Sequence, residues 1–478
     1  MDIKKTADGG RIAQNRDMST QNRNRIYVYM SVLILIGAFL VACMIAFLSE
    51  PGKHPDEFDV KACMDWCMSR WIWPDMRQMG VGLGDTFSGY GYTKVCNYTP
   101  YFLIFSKISY VFKQFMENLP YYRMPNLLLM AVLTVYIIRK IRDNNWLMLG
   151  FGICVQAWYI FSYVTADAED FLLAFISIAM LADRDSFLWR TLEGKTVSGQ
   201  TDPNVARHGH IFDIRIVISC IVLGIMYGLM LLGKPYYFAT LFLTFVVLIC
   251  RLIKSEINNR KSLLGRYILI AGIAFAILAG RALLDLHYYG FDKAQAKAQM
   301  SEMYSDYDKN PTTPVEEQAP TYHMASKGYA LSDMFEHEPK WFALSYRSFA
   351  AASIYYEGHM LFFSVMGLLY IAIYAWLGIY LCRHGDVPVF VFCTVLNIGS
   401  VVASVLNSYL IDCQPQGRYL LPVLLATCYL GSRAVGLWEK RAFRIVVLTA
   451  SCVSLLFFGL VETRTLIDLG YVRNLLSV

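Results

Sequence analysis

Residues 27–48 read YVYMSVLILIGAFLVACMIAFL, an uncharged apolar run behind a polar leader of twenty-six residues. A bilayer core about 30 Å thick needs about 20 such residues in a helix, so this stretch predicts a membrane span. It exceeds the roughly 7–15 apolar residues of a cleavable signal and lacks a small-x-small cleavage pattern, so it reads as an uncleaved anchor. Working outward with the same ruler, ten further candidates appear at 124–138, 146–163, 169–182, 214–232, 235–250, 267–286, 360–382, 388–406, 417–436 and 443–461. The chain of 478 residues is 56% hydrophobic and 17% charged, whereas soluble domains run near 45–50% and about 25%. That balance excludes a disordered, collagen-like or small disulfide-stapled chain. The expected fold class is all-α, a polytopic helical membrane protein with about eleven transmembrane helices.

Lys and Arg set the orientation, because short cytoplasmic loops retain positive charge. With residues 1–26 as a cytoplasmic tail, the inner segments carry Arg139, Lys140, Arg142, Arg184, Arg190, Arg251, Lys254, Arg383, Arg433 and Lys440, among others. The short outer loops near 164–168, 233–234 and 407–416 contribute only Lys234, with Arg418 just inside the next span. The expectation is a multi-pass plasma-membrane protein, N-terminus cytoplasmic, with the tail 462–478 outside. The net charge of +6 is then an orientation signal and carries no nucleic-acid reading.

Two large outer segments follow, 49–123 and 287–356. In the first, Tyr101 to Met116 carries Phe102, Phe105, Ile108, Phe112 and Phe115 on one side, the pattern of an interfacial helix on the outer leaflet. Cys63, Cys67, Cys96 and Cys413 face outward on this topology; Cys96 could bridge to Cys63 or Cys67 in an oxidising compartment, but spacing does not fix a pairing. One nearby His54 with three irregularly spaced cysteines is a poor zinc set. Gly80-Val81-Gly82-Leu83-Gly84-Asp85 lacks the strand before a nucleotide-binding turn and reads as a loop, and no Walker, G-x-S-x-G or H-E-x-x-H motif is present.

Ionisable residues near membrane depth are candidate functional groups. His54-Pro55-Asp56-Glu57-Phe58-Asp59 puts three carboxylates close to the end of the first span, where like charges raise proton affinity and suit a general base. The alternative is a helix N-terminus, with Pro55 in its first turn and acids favoured by the dipole. Asp167, Glu169 and Asp170 open a second acidic group, which either caps a helix or, with the first, holds a divalent cation (Mg or Mn) or orients a substrate. Lys234, Arg418, Arg281 and Arg123 break the positive-inside pattern. Singly, each could snorkel to headgroups; together they suit a phosphate cradle.

This organisation resembles the GT-C superfamily of integral-membrane glycosyltransferases, which use polyprenyl-phosphate-linked sugars. The resemblance rests on a large outer loop after the first span with Pro55-Asp56-Glu57 near the membrane, and a second between spans seven and eight. Tyr122-Arg123-Met124-Pro125-Asn126 looks like a segment opening an early span in those enzymes, and Ala166-Asp167-Ala168-Glu169-Asp170 falls where they carry a second acidic position. Gln416-Gly417-Arg418-Tyr419-Leu420-Leu421-Pro422 resembles a signature of bacterial membrane proteins of similar layout. The resemblance implies a hexosyltransferase-type enzyme with a polyprenyl-phosphate sugar as donor, a glycan, lipid or protein as envelope acceptor, and inversion at the anomeric carbon. Asp56, or Glu57, would be the catalytic base; Asp167 or Asp170 would hold the acceptor or a cation; Lys234, Arg418, Arg281 and Arg123 would bind the lipid phosphate. Rival readings are a transporter or flippase of an anionic lipid-linked saccharide, which needs broken helices and acids at mid-membrane, and a noncatalytic subunit of a polysaccharide assembly complex.

Overall fold

The computed structural model describes residues 3–78, 82–116, 119–194, 214–351 and 360–462, with side chains from Arg25 onward except at 257, 258, 461 and 462. Gly80 and Val81 of the glycine-rich stretch and most of the C-terminal tail lie outside the described residues. α1 (Ile3–Leu48) leads into the first large loop segment, which carries α2 (Glu57–Cys67) and α3 (Tyr101–Lys113). Then come α4 (Met124–Lys140), the one-turn helices α5 (Leu147–Phe151) and α6 (Val155–Tyr159), α7 (Asp167–Ala182) and the short α8 (Phe187–Glu193). They are followed by α9 (Ile214–Leu232), α10 (Phe238–Lys254) and α11 (Ile257–Tyr289). The second large loop segment holds α12 (Lys293–Tyr304), α13 (Leu331–His337) and α14 (Trp341–Ala351), before α15 (Met360–Arg383), α16 (Val387–Leu410), α17 (Leu421–Arg433) and α18 (Arg441–Leu456). Among the described residues there is no strand, only isolated bridges between loops.

Eight helical stretches among the described residues are long and apolar enough to cross a membrane: Arg25–Leu48, Tyr121–Lys140, Ile214–Leu232, Pro235–Lys254, Asn259–Tyr289, Met360–Arg383, Val387–Leu410 and Arg441–Leu460. The three remaining segments expected from sequence take a different form. The 146–163 segment is split at Gly152-Ile153-Cys154, and α7 and α17 have only 16 and 13 residues. These short pieces are the centre of the bundle: every residue from Trp146 to Asp170 is buried, and so is nearly all of α17. A lipid-facing helix must satisfy its own backbone along its whole length, whereas a helix sheathed by protein can be short or broken because its neighbours supply the missing partners. At the break they do: Tyr370 and Ser454 donate to the Ile153 carbonyl at 2.8 and 2.9 Å, and Trp158 Nε1 donates to that of Phe151 at 2.6 Å.

The loop segments meet at one end of the bundle. Tyr90 Oη donates to Asp412 at 2.6 Å, Asp306 N to the Gly89 carbonyl at 2.8 Å, and Cys413 N to that of Thr321 at 3.1 Å. At the other end, Lys140 pairs with Asp183 and Arg433 with Asp386, each at 3.0 Å. α14 packs into the bundle from the loop end, its Phe349 carbonyl accepting from Cys154 Sγ at 3.2 Å. All twelve cysteines are free thiols, so the expected bridge from Cys96 to Cys63 or Cys67 is absent.

α3 forms where the interfacial helix was expected, but with a different exposed face. Phe102 is buried, and Phe105 and Phe112 pack against the cluster made with α2. The apolar residues left open are Ile104, Tyr110 and Val111, joined beyond the helix by Phe115. A helix apolar on more than one side can bury one stripe in protein and still offer another to lipid. Lys107 seals the contact, its ammonium bonding the carbonyls of Cys67, Met68 and Arg70 at the end of α2, where a cation meets the helix's unpaired acceptors.

Candidate functional site

Five charged residues from distant parts of the chain converge at the loop end. Lys94 Nζ lies 3.0 Å from Asp56 Oδ2, and Arg418 Nη2 lies 3.6 Å from the same oxygen. Arg418 Nη1 is 3.4 Å from Asp167 Oδ2, and Lys234 Nζ is 2.7 Å from Asp167 Oδ1. Thr165 Oγ1 donates to Asp167 Oδ2 at 3.0 Å, and Tyr236 Oη also donates to that carboxylate. Asp167 is sealed, at 0% side-chain exposure, while Asp56 keeps 41%. The cluster therefore has a closed anionic anchor and an open carboxylate, joined through one guanidinium.

Local backbone features build this arrangement. Asp56 is the residue before α2 and adopts a left-handed conformation (φ 57°, ψ 13°) without capping the helix through its side chain. Asp tolerates that region better than most residues, at some cost in strain. The side chain is thus free of the capping role that the sequence left open and reaches Lys94 instead. Arg418 sits in the turn before α17, where Gly417 comes so close to α14 that a Cβ would lie 2.0 Å from the Phe349 nitrogen. Gly233 has the same relation to Asp170: a Cβ there would lie 2.1 Å from its Oδ1. Asp170 accepts from the Lys234 backbone N–H at 3.0 Å, so it positions the turn that carries Lys234. Glu169 is buried beside it, with Oε2 unpartnered in the structure.

Glu57 and Arg123 stand apart from the cluster. Arg123 Nε and Nη2 donate to the two Glu57 carboxylate oxygens at 2.5 and 2.8 Å, both residues essentially without exposure. The same guanidinium bonds the carbonyls of Ala46, Ser49 and Glu50 at 2.7, 2.9 and 3.0 Å, closing the end of α1. The second Glu57 oxygen also accepts from Gly52 N at 2.7 Å. Every hydrogen-bonding direction of Arg123 is occupied by protein, so this pair is a brace: Glu57 is not placed to take a substrate proton, nor Arg123 to meet a phosphate. Asn126, three residues on, braces the other half by bonding the carbonyls of Tyr163 and Thr165 at 2.6 and 3.0 Å. Arg281 is also engaged elsewhere, with Asp285 and, at 2.9 Å, the Cys96 carbonyl.

The electrostatics of Asp56 reverse the expectation from sequence. Burial raises its pKa, but Lys94 and Arg418 outweigh burial and hold the carboxyl below its ordinary range; water reaching the open side chain moderates the effect. Among its neighbours it is Asp59 that moves up, first through burial and then through Asp56 and Asp306, with Lys94 opposing. Burial pushes Lys94 down against the pull of Asp56. His54 is buried between Ser49 and Tyr159, at 2.6 and 2.8 Å, and stacks on Tyr163; burial and then Arg123 keep it well below its usual pKa, hence neutral.

A divalent cation fits these acids poorly. Lys94, Arg418 and Lys234 already fill the space beside Asp56 and Asp167, and among the described residues no group of three or more His, Cys, Asp or Glu side chains is arranged to hold a metal. Of the residues singled out by sequence, the structure unites Asp56, Asp167, Lys234 and Arg418, with Asp170 behind them. It adds Lys94 and Tyr236. Tyr236 had a signal, adjacency to the Lys234 turn; Lys94 had none, being one lysine in a long polar loop. No family model, curated protein or solved structure matches the chain.

Proposed function

We propose that the chain is a membrane glycosyltransferase that moves a sugar from a polyprenyl-phosphate carrier to an acceptor at the outer face of the plasma membrane, with eleven passes in a GT-C-like arrangement. The observation that carries this reading is the open Asp56 carboxylate held beside Lys94 and Arg418, with Lys234 one carboxylate away. An acceptor hydroxyl would give its proton to Asp56 as its oxygen bonds the anomeric carbon. The bond from that carbon to the phosphate oxygen breaks, and the lipid phosphate leaves with the electron pair. Lys234 and Arg418 suit the growing charge on that phosphate, a stabilisation usually larger than the proton transfer.

One further feature supports it. The short central helices connect the two ends of the bundle: Trp146 lies by Gly431 while Tyr159 meets His54, α7 runs from Asp167 to Ala182 with Asp183 just beyond it, and α17 ends at Arg433 beside Asp386. At 1.5 Å per residue α7 is about 24 Å long, a little short of a bilayer core of about 30 Å, which suits a site at its start to a lipid-linked substrate held close to the membrane.

Transport has one feature in its favour, the helix break at Gly152–Cys154. Its freed carbonyls are taken up by Tyr370, Ser454 and Trp158, and every residue of the break is buried, so it offers no ion or substrate ligands. The deciding experiment gives the purified protein in lipid nanodiscs a radiolabelled polyprenyl-phosphate hexose, with envelope glycans as acceptors. Transfer by the native chain and loss in Asp56→Asn is the expected result; equal transfer by both removes Asp56 as base.

A further inference from the structure

Beside Asp56 and Arg418 lies a set of tyrosines and amides that the proposed chemistry does not use. Tyr90, Tyr92, Tyr322 and Tyr419 are all only partly covered. Tyr90 is 6.0 Å from Tyr92 and 5.8 Å from Tyr322, ring centre to ring centre. Tyr419 ties this set to the open carboxylate, because the Arg418 guanidinium lies 5.5 Å from its ring centre and 3.6 Å from Asp56. The Tyr90 and Tyr419 hydroxyls join Gln414 and Asp412 in one network: Gln414 Nε2 donates to Tyr90 Oη at 2.9 Å and to Asp412 Oδ2 at 2.7 Å, and Tyr419 Oη donates to Gln414 Oε1 at 3.1 Å.

Three loop segments supply these groups, from the first large loop, the second, and the turn before α17. Partly exposed aromatic rings offer apolar faces with a polar edge, and carboxylate and carboxamide groups accept and donate several hydrogen bonds at once. That combination matches a saccharide, whose ring has apolar C–H faces and a rim of hydroxyls. A protein acceptor would call for an extended groove with backbone partners, and a lipid acceptor for a continuous apolar slot. Lysines are present too, with Lys297 and Lys309 lying 5.2 and 4.8 Å over Tyr92 and Tyr90; they hold one side of those rings in place.

We infer that Tyr92, Tyr322, Tyr419, Gln414 and Asp412 form a saccharide subsite that presents a sugar hydroxyl to Asp56, so that the acceptor is a glycan. This rests on the transferase reading for its role, while the binding stands by itself. The test is saturation-transfer NMR on the full chain in nanodiscs with mannotriose, chitotriose and cellotriose. Transfer to at least one trisaccharide is expected, reduced at least tenfold by Tyr92→Ala and by Gln414→Ala and retained in Tyr92→Phe, which keeps the ring. A parallel measurement of polyprenyl phosphate binding, unchanged in both alanine variants, shows that they are folded. No transfer from any of the three sugars, or transfer indifferent to both variants, overturns the subsite. Sugar binding without polyprenyl phosphate binding supports the subsite and removes the transferase reading; polyprenyl phosphate binding and turnover without sugar binding does the opposite.

Discussion

Asp56 and Glu57 are neighbours in the chain, yet they belong to two different machines. Glu57 opens α2 and turns inward, where Arg123 takes both of its oxygens and at the same time closes the end of α1. Asp56 takes a left-handed backbone one residue earlier and turns the other way, toward Lys94 and Arg418. One acid–base group is dry, closed and saturated; the other is open on one side and shares one of its cations, Arg418, with a second carboxylate. A buried pair is costly to break but does little chemistry, whereas an open carboxylate among cations that can be drawn to a phosphate can change partners. Charge type alone does not separate the two roles; the count of unused hydrogen-bonding directions does.

The contrast breaks most sharply under substitution. Asp56→Asn keeps the size of the side chain and tolerates the left-handed backbone, so turnover should fall by about 10²–10⁴-fold, the range for a lost general base, with melting in nanodiscs barely changed. A large loss of melting temperature with turnover intact would exchange the roles assigned to the two acids. Arg123→Ala should behave in the opposite sense. It leaves Glu57 buried and unpaired and costs about 3–5 kcal/mol of stability, read as a lower melting temperature or loss of folded protein. Adding Glu57→Leu should recover part of that loss and not all, since the carbonyls of Ala46, Ser49 and Glu50 still lack their donor.

Gly417→Ala tests the link between scaffold and site. The new Cβ would press on the Phe349 backbone, and overpacking of this kind costs about 1–3 kcal/mol. Because Arg418 is the next residue, turnover should drop together with stability, and Gly233→Ala should do the same through Asp170 and the Lys234 turn. If Gly417→Ala melts early but turns over normally, Arg418 is not a working part of the site.

The lipid-facing helices were legible because a membrane demands a continuous apolar run wherever a helix meets lipid. The central pieces were legible as apolar but not as short or broken, because the groups that satisfy the break at Gly152–Cys154 come from Tyr370 and Ser454, far along the chain. Asp56, Asp167, Lys234 and Arg418 stood out as charges at the wrong level for orientation. Arg123 and Glu57 met the same criterion, and nothing local distinguishes a saturated pair from an open one. Lys94 was invisible because a lysine in a polar loop is ordinary until folding sets it 3.0 Å from Asp56.

The smallest effect is the dependence of Asp56 on pH. Its carboxyl is held below the ordinary value by Lys94 and Arg418 against the opposing effect of burial. A depressed carboxylate contributes stability that is present above the unfolded value, about 3.9, and is lost as pH falls through the folded one. The melting difference between the native chain and Asp56→Asn should therefore stay flat from pH 7 to about pH 5 and shrink below about pH 4. Its size should be under about 1 kcal/mol, since the side chain is 41% exposed and water screens such pairs. Kinetics sharpen the point: the acid limb of kcat/KM, which reports the free enzyme, should lie below the usual carboxylate range. A bound phosphate would draw Arg418 and Lys234 toward itself and add negative charge, so the acid limb of kcat should sit higher. Coincident limbs near neutrality would mean that Asp56 and its cations are not coupled through the donor phosphate, and the open cluster would then be no more than a second brace.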